Sequence, residues 1–273
     1  MKQNTTLAII LLWAACVAAQ PPVMVKDINP GPGSSALQFD NIMTSYNGQL
    51  FFMADDGTHG AELWASDGTE DGTYLFKDIY PGITGSDSRN FYEVNGYLVF
   101  TARNNFNGTE LWRTDGTVEG TMLVKDLNPG FSSGVWISPQ PQNDFYVWND
   151  VLYFTGNNGT NGYELWRSDG TEAGTFMVKD INNTNPGPGS HSFPSHFAEH
   201  DGKLYFAAND GTNGKELWAT DGTEAGTVLV KDINPGPFSS NPANLVSCNG
   251  YLLFTREISF SNLELWRSNG PAG

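Results

Sequence analysis

Five times along the chain the sequence returns to one phrase: ELWASDGTEDGT from Glu62, ELWRTDGTVEGT from Glu110, ELWRSDGTEAGT from Glu164, ELWATDGTEAGT from Glu216 and a worn ELWRSNGPAG from Glu264. The tryptophans Trp64, Trp112, Trp166, Trp218 and Trp266 stand 48, 54, 52 and 48 residues apart. Such a repeat constrains the fold more than composition does. Each copy must form the same small unit, and each unit must bury its apolar face against the next.

Within a unit, four short β-rich runs alternate with turn residues. In the second copy these are Phe91 to Val94, Asn95-Gly96, Tyr97 to Ala102, a polar loop, Glu110 to Thr114, Asp115-Gly116-Thr117 and Thr121 to Leu127. Asn-Gly recurs at 47, 95 and 249, with Asn149-Asp150 and Asp201-Gly202 in the other copies, as two-residue hairpins require. The second run is apolar at neighbouring positions (Leu98-Val99-Phe100, Leu152-Tyr153-Phe154, Leu204-Tyr205-Phe206), so both faces of its sheet must be covered. Sheets of this size stacked around an axis satisfy that demand. The sequence therefore predicts an all-β fold, a five-bladed β-propeller of four-stranded antiparallel blades.

Each of the first four ELW glutamates precedes by 15 residues the lysine of a Lys-Asp pair: Glu62/Lys77, Glu110/Lys125, Glu164/Lys179 and Glu216/Lys231. A hairpin about Asp-Gly-Thr sets Trp64 opposite Leu75 and predicts Glu62 opposite Lys77, a cross-strand ion pair. Glu264 has no lysine after it, and Lys26 no glutamate before it. The sequence thus predicts that Val23 to Ile28 joins the last three strands and closes the ring.

Residues 1–19 read as a secretory signal peptide. Lys2 precedes an apolar run from Leu7 to Ala19, with small residues before a cut ahead of Gln20, and the run is too short to cross a bilayer. Residues 20–273 then form a single domain with no membrane span and one cysteine, Cys248, since Cys16 leaves with the leader. What remains carries 13 Lys and Arg against 30 Asp and Glu, a formal charge of −17. That charge opposes nucleic acid and anionic lipid as partners.

The recurring Glu-Leu-Trp-x-x-Asp-Gly-Thr, with Val-Lys-Asp-Ile-Asn-Pro-Gly downstream and Asn-Gly-x-Leu-Tyr-Phe between, resembles the ELWxxDGT repeat family, over Val23 to Trp266. The resemblance implies a propeller-like, secreted or surface-associated repeat protein, and no settled activity. The fifth copy departs from the pattern, with Asn269 for Asp and Pro271 for Thr.

Several residues invite chemistry. Asp67, Asp115, Asp169 and Asp221 offer oxygens that suit calcium, as do the loops at Asp55-Asp56-Gly57 and Asn209-Asp210-Gly211; a self-capped turn accounts for the same spacing, and no cofactor is expected. The five repeated tryptophans suit sugar stacking, but a tryptophan repeated at one strand position reads as an inter-sheet wedge. Trp136 and Trp148, outside the repeat slot, are the candidates for surface contact. The Lys-Asp pairs read as structural. Gly130-Phe131-Ser132-Ser133-Gly134 matches a nucleophile elbow without the helix that motif needs. His191, His196 and His200 lack a helix that would align them on zinc. Asn107, Asn158 and Asn182 head N-x-Thr acceptors for glycans.

No catalytic residues emerge. Most of the acids recur in every unit, whereas catalysis needs unlike residues at unlike positions; the one-off acids are Glu93, Asp144, Glu199 and Glu257. The sequence predicts a non-catalytic extracellular binding, adhesion or matrix module. Its variable loops Phe131 to Asp144 and Asn182 to Ser195 would face a protein or glycan partner. A lectin with repeated sites, an acidic calcium- or mineral-associated matrix protein and a glycosidase are the other readings.

Overall fold

The computed structural model describes residues 21–35, 43–138, 144–184, 187–259 and 262–270. The leader expected over 1–19 and Cys16 lie outside them. The described residues hold strands and turns and no helix. Four sheets are four-stranded antiparallel meanders. They comprise β1 (Met43–Tyr46), β2 (Gln49–Asp55), β3 (Ala61–Ser66) and β4 (Thr73–Lys77); β5 (Arg89–Val94), β6 (Tyr97–Ala102), β7 (Glu110–Thr114) and β8 (Met122–Lys125); β9 (Phe145–Trp148), β10 (Val151–Asn157), β11 (Tyr163–Ser168) and β12 (Phe176–Lys179); and β13 (Ser195–His200), β14 (Lys203–Asn209), β15 (Lys215–Thr220) and β16 (Val228–Lys231). The fifth has three strands, β17 (Ala243–Cys248), β18 (Tyr251–Ser259) and β19 (Asn262–Ser268).

The hairpins form where the sequence asks for them. Asn47 and Gly48, Asn95 and Gly96, and Asn249 and Gly250 all take positive φ, the primed turn that matches strand twist. The second strands of the three middle sheets are buried on both sides because sheets stack face to face, while Leu50 of β2 and Leu253 of β18 are not fully covered, and four apolar clusters mark the four joints. Trp112 packs on the first sheet, Trp166 on the second and Trp218 on the third, each 5–8 % exposed. These three tryptophans, with Trp266 partly buried on the fourth sheet, are thus inter-sheet wedges. First strands of successive sheets lie together, β1 by β5, β5 by β9, β9 by β13 and β13 by β17, which makes them the inner strands of a propeller-like arrangement.

One predicted contact is wrong. Trp64 does sit opposite Leu75, but a bulge between Leu63 and Trp64 puts Lys77 opposite Leu63, not Glu62, and the same shift recurs in the next three sheets. Among the described residues no ion pair forms between the repeated glutamates and lysines. Lys77 Nζ instead donates to the carbonyls of Val118 and Thr121 in the next sheet, and Lys125 and Lys179 reach Thr175 and Thr227 in the same way. Each of these three lysines therefore staples its sheet to the one that follows.

The glutamates turn inward, fully buried. Glu62 accepts from the N–H groups of Ile79 and Tyr80 and from Ser86 Oγ (2.7 Å). Glu164 accepts from Ile181 N–H and Ser192 Oγ, and Glu216 from Ile233 N–H and Ser240 Oγ. Glu110 bonds Leu127 and Gly134 N–H, but Gly134 replaces the serine. Burial raises all four carboxyl groups, Glu164 to about 7 and Glu110, without a hydroxyl donor, to about 8.

An acid whose folded pKa lies above its unfolded value holds protons that the unfolded chain releases, so stability is full below about 4.5 and declines as pH rises toward 8. We expect the melting temperature at pH 5 to exceed that at pH 8 by about 5 °C or more, because each kcal/mol moves a domain of this size by roughly 2–4 °C. A scan in which melting is flat or rises across that window would remove this account.

Val23 to Ile28 forms no strand pairing among the described residues, so the closing strand is not seen. Lys26 nonetheless behaves as its repeat partners do, donating to the carbonyls of Glu70 (3.2 Å) and Thr73 (2.6 Å) in the first sheet. At the far end, Leu265 is 75 % exposed, whereas Leu63, Leu111 and Leu165 at the same position are at 0 %.

Candidate binding pocket

The Asp-Gly-Thr turns are self-contained. Asp67 Oδ1 accepts from Thr69 N–H (2.9 Å) and Thr69 Oγ1 (2.7 Å), and Asp115, Asp169 and Asp221 repeat the arrangement. These bonds hold the carboxyl groups of Asp67, Asp115 and Asp221 below the usual range. Gly72 closes the loop because a Cβ there would strike the Asp67 carboxylate. Among the described residues no three His, Cys, Asp or Glu side chains gather as a metal would require.

The N-x-Thr asparagines are half-buried, and each amide is engaged: Asn107 Nδ2 donates to Asp126, Asn158 Nδ2 to Asn161 Oδ1 and Asn182 Nδ2 to the His191 carbonyl. Trp148 packs partly buried beside Tyr153. The three histidines separate. His191 Nδ1 accepts from Tyr163 N–H, His200 Nδ1 pairs with Ser247 Oγ, and His196 lies in a different place, described next.

Between the third and fourth sheets the repeat breaks in one spot. Where a fourth strand leads into the next first strand, the second copy reads Ser86-Asp-Ser-Arg-Asn90 and the fifth Ser240-Asn-Pro-Ala-Asn244. Asp87, Asn90, Asn241 and Asn244 take positive φ, which short polar side chains tolerate. Asn90 Nδ2 then bonds Thr101 Oγ1, and Asn244 Nδ2 bonds Thr255 Oγ1. The fourth copy reads Ser192-Phe-Pro-Ser-His196. Phe193 (φ 43°) and His196 (φ 58°) occupy the same left-handed slots, and Ala207 stands where the threonine would be. A bulge between Ser195 and Ala198 aims His196 inward.

These substitutions line a cavity of about 360 Å³. The loop after β8 supplies one wall. Trp136 N–H bonds the Thr155 carbonyl, and its ring lies 5.1 Å from Tyr163 and 5.2 Å from Phe193, which itself lies 4.9 Å from His191. Ser138 N–H donates to Asp144 Oδ2 (2.7 Å), and burial raises the Asp144 carboxyl. Lys215, at the start of β15, occupies a position that holds Ala61, Thr109, Tyr163 and Leu263 in the other copies. Its Nζ donates to Ser195 Oγ at 2.8 Å. Burial lowers the Lys215 ammonium, and burial followed by the Lys215 charge lowers the His196 imidazole.

His196 and Lys215 also line a second, adjacent cavity of about 380 Å³, bounded by Asn241, Asn244, Thr255 and Glu257. Of the features named from sequence, Trp136, the one-off acids Asp144 and Glu257, and Phe193 to Ser195 of the expected contact loop line these two cavities, while Lys215 was not named and His196 was weighed only as a zinc ligand. The signal for Phe193 and His196 was present in the departure of SFPSH from SDSRN and SNPAN.

No family model matches the chain, and no curated protein matches it. Among solved structures, a puromycin hydrolase is similar at 16 % identity with a TM-score of 0.46, over 83 % of this chain and 35 % of its own. A thermostable family-43 glycoside hydrolase is similar at 13 % and 0.33, over 84 % and 88 %. An α-L-arabinofuranosidase from Clostridium thermocellum follows at 15 % and 0.30, over 80 % and 81 %. The chain spans about a third of the length of the puromycin hydrolase. None of these likenesses carries an argument about activity.

Proposed function

We propose that this chain is an exported, non-catalytic binding module of the ELWxxDGT-repeat type, whose ligand site is the pocket between the third and fourth sheets. The observation that carries the reading is convergence. Trp136, Ser138 and Asp144 of one variable loop and Phe193, Pro194 and Ser195 of the other line one cavity, and Phe193 and His196 are held there in left-handed backbone that the second and fifth copies give to Asp and Asn. Strained backbone concentrated at a cavity is a mark of function rather than of packing.

The module is a closed ring of five blades on this reading, with Val23 to Ile28 as the last strand of the fifth. Lys26 already holds the first sheet as Lys77 holds the second. By the repeat, Ile28 corresponds to Ile79 and Ser35 to Ser86, so the chain start carries the N–H and hydroxyl donors that a buried Glu264 requires. In the described structure Glu264 accepts instead from Trp266 Nε1 (2.9 Å).

The test is adsorption of residues 20–273 to immobilised extracellular glycoproteins, with the wild-type chain beside His196→Asn/Ala207→Thr, which rebuilds the Asn–Thr pair of the sibling sheets. We expect the variant to melt no lower than wild type and to adsorb at least tenfold more weakly, the exchange of stability for function seen at strained sites. Equal adsorption by both proteins would remove the pocket from the function.

A further inference from the structure

Resting on that binding reading, we infer that the pocket takes an uncharged pyranose at the end of a glycan, with the adjoining cavity receiving the next sugar. A sugar presents hydroxyl groups that donate and accept side by side around an apolar C–H face. The groove matches both demands. Asp144 supplies an acceptor and Lys215 a donor, and Ser195 and His196 can do either. Trp136 and Phe193 provide the apolar wall.

Charge argues for a neutral ligand. The Lys215 ammonium is offset across the cavity by Asp144, and the strongly acidic chain repels anions at longer range. A volume of about 360 Å³ lies in the range of roughly 300–1,000 Å³ typical of small-molecule sites. The second cavity shares His196 and Lys215 with the first, so the two lie next to each other beside these side chains, and a ligand longer than one ring places its next unit in the second. This is one asymmetric site at one joint, unlike a lectin with a shallow site on every repeated tryptophan, since Trp64, Trp112, Trp166 and Trp218 are buried.

The experiment titrates residues 20–273 with methyl pyranosides of glucose, galactose, mannose and N-acetylglucosamine, and with glucuronic acid, by calorimetry and saturation-transfer NMR. We expect one-to-one binding of at least one neutral pyranoside, weakened more than tenfold in Asp144→Asn, Lys215→Met and Trp136→Ala, and glucuronic acid bound no better. The His196→Asn/Ala207→Thr protein, folded by its melting curve, should bind none.

Absence of binding by every pyranoside, or binding unchanged in all four variants, overturns the inference. Adsorption to glycoprotein that the variants abolish, but free pyranosides do not compete, leaves the binding module standing and defeats the sugar assignment. Loss of adsorption altogether defeats the module itself.

Discussion

Phe206→Ala should lower stability by about 3–5 kcal/mol, the cost of deleting a fully buried phenylalanine and leaving most of its cavity unfilled. Phe206 is at 0 % exposure in the joint between the third and fourth sheets, packed with Leu204, Trp218 and residues across the interface such as Leu165 and Val178. Both faces of β14 are covered, so no neighbour can collapse from a solvent side. In a domain of this size the loss corresponds to roughly 6–20 °C in melting temperature. Chemical denaturation checks it, and a loss under about 1 kcal/mol would mean that the joint is far looser than its burial states.

Gly162→Ala is the second large effect, for a different reason. Gly162 has φ +79°, and a Cβ there would run into the Ser190 carbonyl oxygen and crowd His191 Nδ1 at 2.7 Å. Left-handed backbone costs alanine roughly 1–2 kcal/mol. Overpacking against another backbone adds about 1–3 kcal/mol. A total of about 2–5 kcal/mol is expected, together with weaker ligand binding, because Ser190 and His191 lead into Phe193. Gly96→Ala is the control. Its φ of +76° is similar, but nothing lies within 4 Å of the new methyl, so only the conformational part should appear. Equal losses in the two variants, by denaturant midpoint, would refute the steric argument.

Much of the fold was legible because the signals were local and repeated. The expected runs Tyr97 to Ala102 and Glu110 to Thr114 are β6 and β7 to the residue, and Asn-Gly fixed the hairpins. The expected strand Thr121 to Leu127 shrinks to Met122–Lys125 because Leu127 leaves the sheet to bring its N–H to Glu110. The Glu62–Lys77 pairing failed for a related reason. Register arithmetic assumes one residue opposite one, and a single bulge beside Trp64 turned the glutamate into the core and sent the lysine to the next sheet.

The pocket was half legible. Trp136 and Asp144 stood out as unrepeated residues, but Phe193, His196 and Lys215 occupy repeat slots, and their meaning lies in what the other copies carry there. Reading a repeat protein for function therefore means subtracting the consensus before looking for chemistry. The four buried glutamates show the converse. They have shifted carboxyl groups and accept from buried donors, a serine hydroxyl in three of the four, features that mark active sites elsewhere, yet recurring at the same slot in four sheets they belong to the frame.

The lysine staple gives the assembly a direction. The first three sheets each offer an ammonium forward, and the first four each receive one from behind on their turn carbonyls, so severing the chain at any of these junctions leaves two cohesive ends of the same chemistry. Units joined this way can be gained or lost by gene duplication and deletion without inventing a new contact. That freedom lets a single copy drift, as the fourth has, while its siblings keep the scaffold intact.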